Sequence, residues 1–335
     1  MDITEAACSP LVTVVMAAYN AEAFVGCAIE SVQAQTLQDW ELICIDDGST
    51  DATLAVLEEF ANFDKRIKVL TQSNAGPAEA RRKGYVDGCG DFFIMLDSDD
   101  WFANDALERL YTEALDKNAD VVVCRAMTQS NEQPGGWESF HGLRGTKEGV
   151  VITGGEAFCL TFPWRIHGIG LWRSEVIKSV AVDHENAFNR FNADEYLTRK
   201  LFLQCDRVVV GSGEYYIFTN QNSLTRHRTW SHFLSLETDR KLSDLALVSD
   251  VSFDCLRRVT RNQRSALLSS IHNWARFGAQ GKGGFVFSEI FQSIMHHYRV
   301  CRFTRNLGDW VKLIFSIPAY LLKGFVARFD FAKKM

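Results

Sequence analysis

Continuous runs of apolar residues alternate with amphipathic stretches along the first 125 residues of the chain. A parallel strand that is covered by helices on both faces shows such an unbroken run instead of an alternating one. The runs predict strands over 11–17, 40–45, 67–70, 92–96 and 120–125. In the stretches between them, apolar residues recur at helical spacing. They predict a helix over 22–35, a second that ends at about residue 62, and two more over 77–88 and 104–117. This order predicts right-handed βαβ units and a mostly parallel sheet.

The pattern changes after Met127. A stretch rich in glycine and aromatic residues, QPGGWESFHGLRG, predicts loops over an active-site face. Residues 184–228 return to mixed structure, with a helix near Ala193 to Gln204 and a strand over Arg207 to Val210, and the pattern is helical from about residue 231. We therefore expect an α/β fold with a helical C-terminal extension, divided into three regions: 1–125, 126–230 and 231–335.

Charge is distributed unevenly along the chain. The formal net charge is −6, but residues 231–335 carry 16 lysines and arginines against 8 aspartates and glutamates. The acidic body argues against nucleic acid as the main partner. The basic C-terminal part suggests a segment that faces an anionic surface.

Nine cysteines are spread from Cys8 to Cys301 without a CxxC pair. An odd number at these spacings favours neither a disulfide framework nor a zinc site, and we interpret them as buried thiols in a reducing compartment. The amino terminus, MDITEAACSP, has acids where a signal peptide has lysine or arginine. No apolar run approaches the roughly 20 residues that span a bilayer, so we expect a cytoplasmic protein.

Two clusters of carboxylates directly follow predicted strands. Asp97, Asp99 and Asp100 come after the fourth strand, and Asp46 and Asp47 come after the second. Ligands bind at the carboxyl ends of strands in open α/β sheets, and side chains two positions apart on an extended segment point the same way. Two carboxylates held that close favour a shared cation, and their hard oxygens suit Mn²⁺ or Mg²⁺.

The alternative interpretation of these acids is a solvated acidic turn or a helix cap before residue 104. The apolar strand in front of them favours a binding site. Neither a GxxxxGK[ST] loop nor a GxGxxG loop is present, so the usual backbone cradles for phosphate are missing. A carboxylate that accepts an N–H from a base, together with a metal on a diphosphate, would hold a nucleotide sugar, and Arg81 would assist.

Four segments in order resemble the successive signatures of the family 2 glycosyltransferases, which are inverting enzymes with the GT-A fold. The segments are VTVVMAAYN (12–20), SVQAQTLQDWELICIDDGSTD (31–51), SNAGPAEARRKG (73–84) and DFFIMLDSDD (91–100). The resemblance implies that region 1–125 binds the nucleotide sugar, with UDP as the expected carrier, and that region 126–230 binds the acceptor. The resemblance covers about residues 10 to 228, and the relatives it indicates are bacterial enzymes that build O-antigen, capsule or exopolysaccharide.

The resemblance also implies roles for individual residues. Tyr19 packs beside the base, Asp47 binds a base N–H, Arg81 lies near the diphosphate, and Asp97 and Asp99 form the DxD element that touches ribose and metal. The residues expected at the nucleotide sugar are Ala17, Tyr19, Asp46, Asp47, Arg81, Asp97 and Ser98, and those expected at the metal are Asp97, Asp99 and Asp100.

The general base of the family lies on a later helix, usually within a Glu-Asp pair. The matching stretch here is FNADEYLTRKLF, in which the order is Asp194-Glu195. The reversed order leaves the choice between the two open, with Asp194 slightly preferred, and the alternative is that both are ordinary acids in the first turn of a helix. The segment EYYIFTNQNSLTRH (214–227) resembles the part that closes the acceptor side, and the absence of QxxRW disfavours a processive synthase.

Two other classes of protein fit part of the pattern. A phosphatase with an aspartate nucleophile also has a DxD after a strand, but Trp101 stands where a small residue is expected. A membrane-associated scaffold that keeps the fold without turnover is the second alternative, against which the intact Asp47, Asp97 and Asp99 argue. The favoured function is transfer of a hexose to a saccharide acceptor, expected to be lipid-linked.

The pattern of apolar and polar residues between Trp310 and Phe329 predicts an interfacial helix on the inner face of the cytoplasmic membrane. Its apolar stripe is Trp310, Ile314, Ile317, Leu321 and Phe325, and its polar side is Asp309, Lys312, Ser316 and Lys323. Pro318 is expected to kink or split the helix. The basic residues that flank it are Arg302, Arg305, Arg328, Lys333 and Lys334. The alternative is that the stripe packs on the catalytic domain or on a second subunit.

Overall fold

The computed structural model describes residues 9–129, 136–140, 143, 145–162, 169–188, 192–218, 230–277, 282–304 and 306–332. The chain divides into two compact units. The sheet unit comprises Met1–Ala157, Ile166–Arg190 and Lys200–Asn220. The helical unit comprises Phe158–Arg165, Phe191–Arg199 and Gln221–Met335.

The described residues contain ten strands: β1 (Val12–Ala18), β2 (Trp40–Asp46), β3 (Ile67–Thr71), β4 (Phe92–Asp97), β5 (Trp101–Phe102), β6 (Val121–Gln129), β7 (Trp137–Phe140), β8 (Val151–Ile152), β9 (Gly170–Arg173) and β10 (Val208–Ile217). They also contain eleven α-helices: α1 (Val25–Gln33), α2 (Thr53–Phe63), α3 (Pro77–Asp87), α4 (Ala106–Asp116), α5 (Gly154–Leu160), α6 (Ser174–Val180), α7 (Ala193–Phe202), α8 (Ser235–Val248), α9 (Phe253–Phe277), α10 (Gly283–Phe303) and α11 (Leu307–Ala332).

One mixed sheet organises the sheet unit. Its strand order is β3-β2-β1-β4-β9-β6-β10-β5, with β7 beside β6 and β8 beside β10. The long strands β1, β2, β3 and β4 pair in parallel, and so do β6 and β10. The short strand β9 runs antiparallel to both β4 and β6 and joins the two parallel sets. All six long strands therefore point the same way, which confirms the mostly parallel α/β fold expected from the sequence.

The apolar runs form strands because both of their faces are covered. Every residue of β2 is buried, as are the first five residues of β4. Gly84 of α3 lets that helix approach the sheet closely, since a Cβ there would lie 2.4 Å from Val15 Cγ1 and 2.9 Å from Ile45 Cδ1. The sheet with its covering helices thus forms one continuous core.

The predicted elements of the first 125 residues are all present, with ends shifted by a few residues. The first helix begins at Val25 instead of residue 22, and the fourth begins at Ala106 instead of residue 104. The expectation that residues 133–145 form only loops was wrong, because Trp137–Phe140 pairs with β6. The strand predicted over 207–210 continues to Ile217. The segment resembling the acceptor side lies outside the described residues from Thr219 to residue 227.

The C-terminal part of the chain is helical, as its pattern predicted, and its helices surround a core of their own. Its fully buried members include Leu236, Leu267, Val286 and Leu313. The expectation that the apolar stripe of α11 faces lipid was wrong for most of it, because Trp310, Ile317 and Leu321 pack against this core. Amphipathicity shows that one face of a helix is covered, and here the neighbouring helices cover it.

Three further expectations about this segment concern Asp309, Pro318 and the flanking basic residues. Asp309, assigned to the solvent side, is 4% exposed and pairs with Arg264. Helix α11 is not split at Pro318 and runs from Leu307 to Ala332. Arg305, Lys333 and Lys334 lie outside the described residues. Within the described part of the chain, no helix is both long enough and apolar enough to cross a membrane.

The cysteines differ from the expectation of buried thiols in two ways. Cys159 and Cys255 form a disulfide in the helical unit, which sequence spacing could not indicate because 96 positions separate them. Cys27 and Cys89 are exposed. The thiols of Cys44, Cys124, Cys205 and Cys301 are buried, as expected.

The close approach of α3 to the sheet gives a stability prediction. Gly84→Ala should lower the free energy of unfolding by about 1–3 kcal/mol, because the added methyl overlaps Val15 and Ile45. Gly26→Ala in α1 is the matched control, since its Cβ would lie 3.7 Å from the Phe60 ring, and alanine favours a helix by up to about 1 kcal/mol over glycine. Urea unfolding of both variants checks the prediction, and equal midpoints would contradict it.

Candidate active site

The register of the sheet brings the two predicted acidic clusters to one edge. Ala17 at the end of β1 pairs with Asp97 of β4, and Ala18 pairs with Asp46 of β2. Neighbouring strands lie about 4.8 Å apart, so the ends of β2 and β4 stand about 10 Å apart on either side of β1. Ala17 itself is half-buried between them. This edge therefore has the breadth to bind one extended ligand.

Asp47 organises the loop between β3 and α3. Its Oδ1 accepts hydrogen bonds from Gln72 Nε2 and from the Ala75 N–H, both at 2.8 Å, and its Oδ2 accepts one from the Gly76 N–H at 2.8 Å. A carboxylate has about four acceptor positions, so one remains on Oδ2. The sequence suggested a role for Asp47 in ligand binding but not this structural one.

The turn after Asp47 depends on glycine. Gly48 has φ 74°, and a Cβ there would lie 2.9 Å from the Asn74 backbone nitrogen. Only glycine adopts this conformation and tolerates this contact without strain. The Asp46 side chain is buried beside the turn and accepts from the Ser49 N–H at 3.3 Å. The two adjacent aspartates thus fix two different loops.

Tyr19 is held in place by its neighbour. Asn20 has φ 50°, and its Oδ1 accepts from the Thr50 N–H at 2.8 Å, while its own N–H donates to Ser49 Oγ at 3.0 Å. These bonds tie the end of β1 to the loop after β2. Tyr19 is 49% exposed, so its ring is open to a ligand at the sheet edge. Asn20 is a positioning residue that the sequence analysis did not single out, although it stands inside a matched segment.

The turn after β4 concentrates negative charge. Asp97 is partly exposed, and its Oδ1 accepts from Arg81 Nη2 at 2.6 Å. Ser98 and Asp99 follow and are half-buried. Burial and the charge of Asp97 raise the pKa of Asp99 above its ordinary value. The structure thus brings Arg81, Asp97 and Asp99 together, as the sequence predicted.

Asp100 differs from the other carboxylates of the turn because it faces the protein interior. Its Oδ2 accepts from the Tyr215 hydroxyl at 2.8 Å, and its Oδ1 accepts from the Phe218 N–H at 2.8 Å. The Asp97 N–H donates to the same Tyr215 oxygen at 3.0 Å. Burial and the charge of Asp97 raise the pKa of Asp100 to about 8. We assign Asp100 to holding the turn against β10, in addition to its predicted place near a metal.

The donor set at this turn fits a divalent cation. Two carboxylates, Asp97 and Asp99, lie two positions apart, and burial together with the charge of Asp97 raises the pKa of Asp99 and of Asp100. A dication between hard oxygens would relieve that repulsion. The guanidinium of Arg81 engages Oδ1 of Asp97, which leaves the other oxygen for a ligand. The chemistry of the residues present therefore agrees with Mn²⁺ or Mg²⁺.

An aromatic cluster begins at the next residue of the chain. Trp101 stacks on Tyr216 with ring centroids 5.7 Å apart and planes 5° apart, and Trp137 stands at right angles to both. The ring centroid of Phe218 lies 6.4 Å from that of Trp101. Trp137 is 37% exposed. Since consecutive Cα atoms are 3.8 Å apart, the Cα atoms of Asp99 and Trp101 are at most about 7.6 Å apart, which places the cluster beside the acidic turn.

Polar groups border the aromatic cluster. The Tyr216 hydroxyl donates to Glu214 Oε2 at 2.8 Å. Arg125 pairs with Glu148 and, at 3.4 Å, with Glu214. Exposed aromatic rings edged by charged hydrogen-bonding groups are suited to a ligand with one apolar face and many hydroxyls.

In the helical unit, Glu195 is held by a buried arginine. Arg199 Nη1 donates to the Glu195 carboxylate and, at 2.9 Å, to the Glu195 carbonyl, while Arg199 Nε donates to Thr161 Oγ1 at 2.9 Å. Burial raises the pKa of Glu195 to about 7, against the lowering effect of the Arg199 charge. Asp194 precedes it in the first turn of α7 and is half-buried. Arg199 was missed by the sequence analysis, although its spacing of four from Glu195 on a helix was a signal.

Comparison with known proteins gives three results. Residues 13–195, just over half of the chain, match the family described as Glycosyl transferase family 2. The chain is 30% identical over 221 residues to the uncharacterized glycosyltransferase EpsJ of Bacillus subtilis (64% of this chain, 63% of that protein). It is 27% identical over 250 residues to glycosyltransferase GlyA of Streptococcus pneumoniae (70% of this chain, 34% of that protein). It thus spans about a third of GlyA and less than two thirds of EpsJ.

The fold also resembles a solved structure. S. aureus TarS 1-349 in complex with UDP-GlcNAc superposes with a TM-score of 0.69 at 16% identity, and the match covers 97% of this chain and 92% of that one. At this identity the likeness concerns the fold, and it confirms the GT-A fold expected from the sequence.

Proposed function

The chain belongs to glycosyl transferase family 2, and we propose that it transfers a hexose from a nucleotide sugar to a saccharide acceptor with inversion at the anomeric carbon. The observation that carries the proposal is the sheet edge at which Asp46 and Asp47 stand on one side of β1 and the Arg81–Asp97–Asp99 group on the other. The first side offers carboxylate oxygens that accept hydrogen bonds from a nucleotide base. The second side offers the Arg81 guanidinium and a metal site to the diphosphate. UDP is the proposed carrier, which the UDP-GlcNAc complex of the similarly folded TarS supports.

The residues of the donor site have separate proposed roles. Asp47 accepts a base N–H at its remaining position, and the exposed ring of Tyr19 packs on the base. Arg81 places a guanidinium beside the diphosphate. Asp97 and Asp99 would hold Mn²⁺ or Mg²⁺, which supplies positive charge to the leaving diphosphate when bound. Asp100 keeps the turn in position through Tyr215 and Phe218.

Glu195 is the proposed general base. A base is most effective when its pKa lies near the working pH, and burial raises the pKa of Glu195 to about 7. The ion pair with Arg199 fixes the direction of its carboxylate. Glu195 would accept the proton of the acceptor hydroxyl as that oxygen attacks the anomeric carbon, which departs from a slight preference for Asp194 based on sequence alone.

The acceptor is proposed to be a saccharide that stacks on the aromatic cluster of Trp101, Trp137 and Tyr216. Sugar rings present C–H groups on one face and hydroxyls at the rim, which matches the exposed Trp137 and half-buried Trp101 and Tyr216 rings beside Arg125 and Glu214. We extend the proposal to a lipid-linked acceptor in surface polysaccharide synthesis at the inner face of the cytoplasmic membrane. The basic C-terminal part of the chain and the exposed side chains Phe287, Phe291 and Phe315 support a peripheral association.

Removal of a metal ligand tests the reaction class. Asp99→Asn should lower kcat/KM for nucleotide release by at least about a hundredfold, or about 3 kcal/mol of transition-state stabilisation. The measurement is nucleotide release from a panel of nucleotide sugars with Mn²⁺, and Asp116→Asn on the exposed end of α4 is the control. Full turnover of the native protein in excess chelator would contradict the proposed requirement for a metal. No turnover with any sugar would favour the scaffold alternative.

The raised pKa of Glu195 predicts the pH dependence. A base works only when deprotonated, so kcat/KM should fall about tenfold per pH unit below about 7 and level off above it. Glu195→Gln, whose amide oxygen still accepts from Arg199, should cost about 10²- to 10⁴-fold and remove this limb. Asp194→Asn, measured in parallel, should retain the limb. If Asp194→Asn loses the limb and Glu195→Gln keeps it, Asp194 is the base instead.

The aromatic cluster predicts a separation of acceptor binding from donor chemistry. Trp137→Ala should raise the KM for a saccharide acceptor about tenfold, which corresponds to about 1.4 kcal/mol of binding free energy, because the sugar loses an apolar surface to pack against. Hydrolysis of the nucleotide sugar without acceptor should stay unchanged. A set of p-nitrophenyl hexosides serves as acceptors, and Phe63→Ala on α2, whose ring is 85% exposed, is the control. An unchanged acceptor KM in Trp137→Ala would show that the saccharide binds elsewhere.

A further inference from the structure

We propose that the helical unit contains a zinc-type metal site formed by His297, Cys301 and Asp309, separate from the acidic turn and independent of glycosyl transfer. The imidazole nitrogen, thiol sulfur and carboxylate oxygen of these residues lie within 4.8 Å of one another. His297 and Cys301 are fully buried, and Asp309 is 4% exposed. The expectation from sequence that the cysteines build no zinc site rested on the lack of CxxC spacing, and the site described here needs only one cysteine.

The helices supply the ligands at a spacing that suits a metal. His297 and Cys301 are four residues apart on α10 and therefore lie on the same face of the helix. Asp309 comes from the first turn of α11. A metal at this point would join two consecutive helices.

The hydrogen bonds around His297 fix its tautomer. Its Nδ1 lies 3.0 Å from the side-chain oxygen of Gln263, which only accepts, so Nδ1 carries a proton. In the neutral ring Nε2 is then an unprotonated lone pair. A partner that accepts from the second ring nitrogen is the usual support of a metal-bound histidine. Gln263 is 2% exposed, so this support is inside the core.

The lone pair of Nε2 faces two further electron-rich atoms. Cys301 Sγ and Asp309 Oδ2 each lie 3.5 Å from it. At this distance the contact with Oδ2 is too long for a good hydrogen bond, and Oδ2 is a buried oxygen without a hydrogen-bond partner among the described residues. A buried carboxylate oxygen that faces a nitrogen lone pair is costly unless positive charge lies between them, either a second proton on the imidazole or a metal ion.

The separations match the edges of a zinc tetrahedron. Bond lengths of about 2.3 Å to sulfur and about 2.0 Å to nitrogen and oxygen give ligand–ligand edges of about 3.3 to 3.6 Å. Both 3.5 Å contacts of Nε2 agree with this range. The third edge, between sulfur and oxygen, is at most 4.8 Å long and would close by up to about 1.3 Å on binding, and a fourth position remains for water.

The surrounding charges agree with a dication. Arg264 Nε contacts the other oxygen of Asp309, Oδ1, at 3.4 Å and leaves Oδ2 to the site. The Arg264 side chain is 21% exposed, so solvent screens part of its charge. The Cys301 thiol loses its proton to solvent when the metal binds. Thiolate and carboxylate together then neutralise the two positive charges of Zn²⁺.

Co²⁺ is the probe, because only a sulfur ligand gives its complexes a strong thiolate charge-transfer band in the near ultraviolet. Full-length protein, stripped with a chelator, is titrated with Co²⁺. We expect the band to saturate at one Co²⁺ per chain and to disappear on addition of Zn²⁺. Asp99→Asn, which alters the acidic turn, should keep the band, because that turn contains no sulfur.

Three cysteine and ligand variants locate the site. Cys301→Ser should lose the near-ultraviolet band and Asp309→Asn should weaken Co²⁺ binding at least tenfold, whereas Cys27→Ser, at an exposed thiol, should match the native protein. If Cys301→Ser does not fold, X-ray absorption of the Co²⁺-loaded native protein takes its place and should show one sulfur at about 2.3 Å. The proposal is overturned if the native protein gives no thiolate band at saturating Co²⁺, if absorption shows no sulfur ligand, or if the band survives Cys301→Ser.

Discussion

The electrostatic cost of three carboxylates in four positions governs the structure around the turn after β4. Placed together and partly out of water, these groups repel one another: burial and the charge of Asp97 raise the pKa of Asp99 and raise that of Asp100 to about 8. The protein offsets part of this cost with Arg81 on one side and with the Tyr215 hydroxyl and the Phe218 N–H on the other. The Tyr215 bonds link the ends of β4 and β10, so the position of the acids is coupled to the second half of the sheet.

The sequence predicted the strands of the first half well because burial on both faces is written into continuous apolar runs. It predicted which acids meet, since the carboxyl ends of parallel strands share an edge. It did not predict that Asp47 holds the loop 72–76 or that Asp100 turns inward, because both depend on partners far along the chain, such as Ala75, Gly76 and Tyr215. The short strands β7 and β9 were missed because their few residues carry too weak a pattern.

The C-terminal helices show where amphipathicity stops being informative. The stripe on α11 correctly indicated a covered face, but an apolar face packs equally well against lipid or against protein. Asp309 was assigned to solvent from its position opposite the stripe, and it is instead buried beside Arg264 and His297. The same side of a helix can thus be polar because it is wet or because it meets buried polar partners, and only tertiary structure separates the two.

The place of β9 in the sheet bears on the order in which the chain assembles. Residues 170–173 form the only link among the described strands between the edge of β4 and the edge of β6, although both of those strands precede it in the chain. During synthesis from the amino terminus, β3, β2, β1 and β4 have all their mutual partners well before β9 emerges. Until then β4 and β6 each present an open edge with unpaired backbone groups, which is the kind of surface that invites aggregation. A nascent chain of this protein is therefore open to mispairing at these edges until residues 170–173 have emerged, and a chaperone that shields strand edges would act before that point.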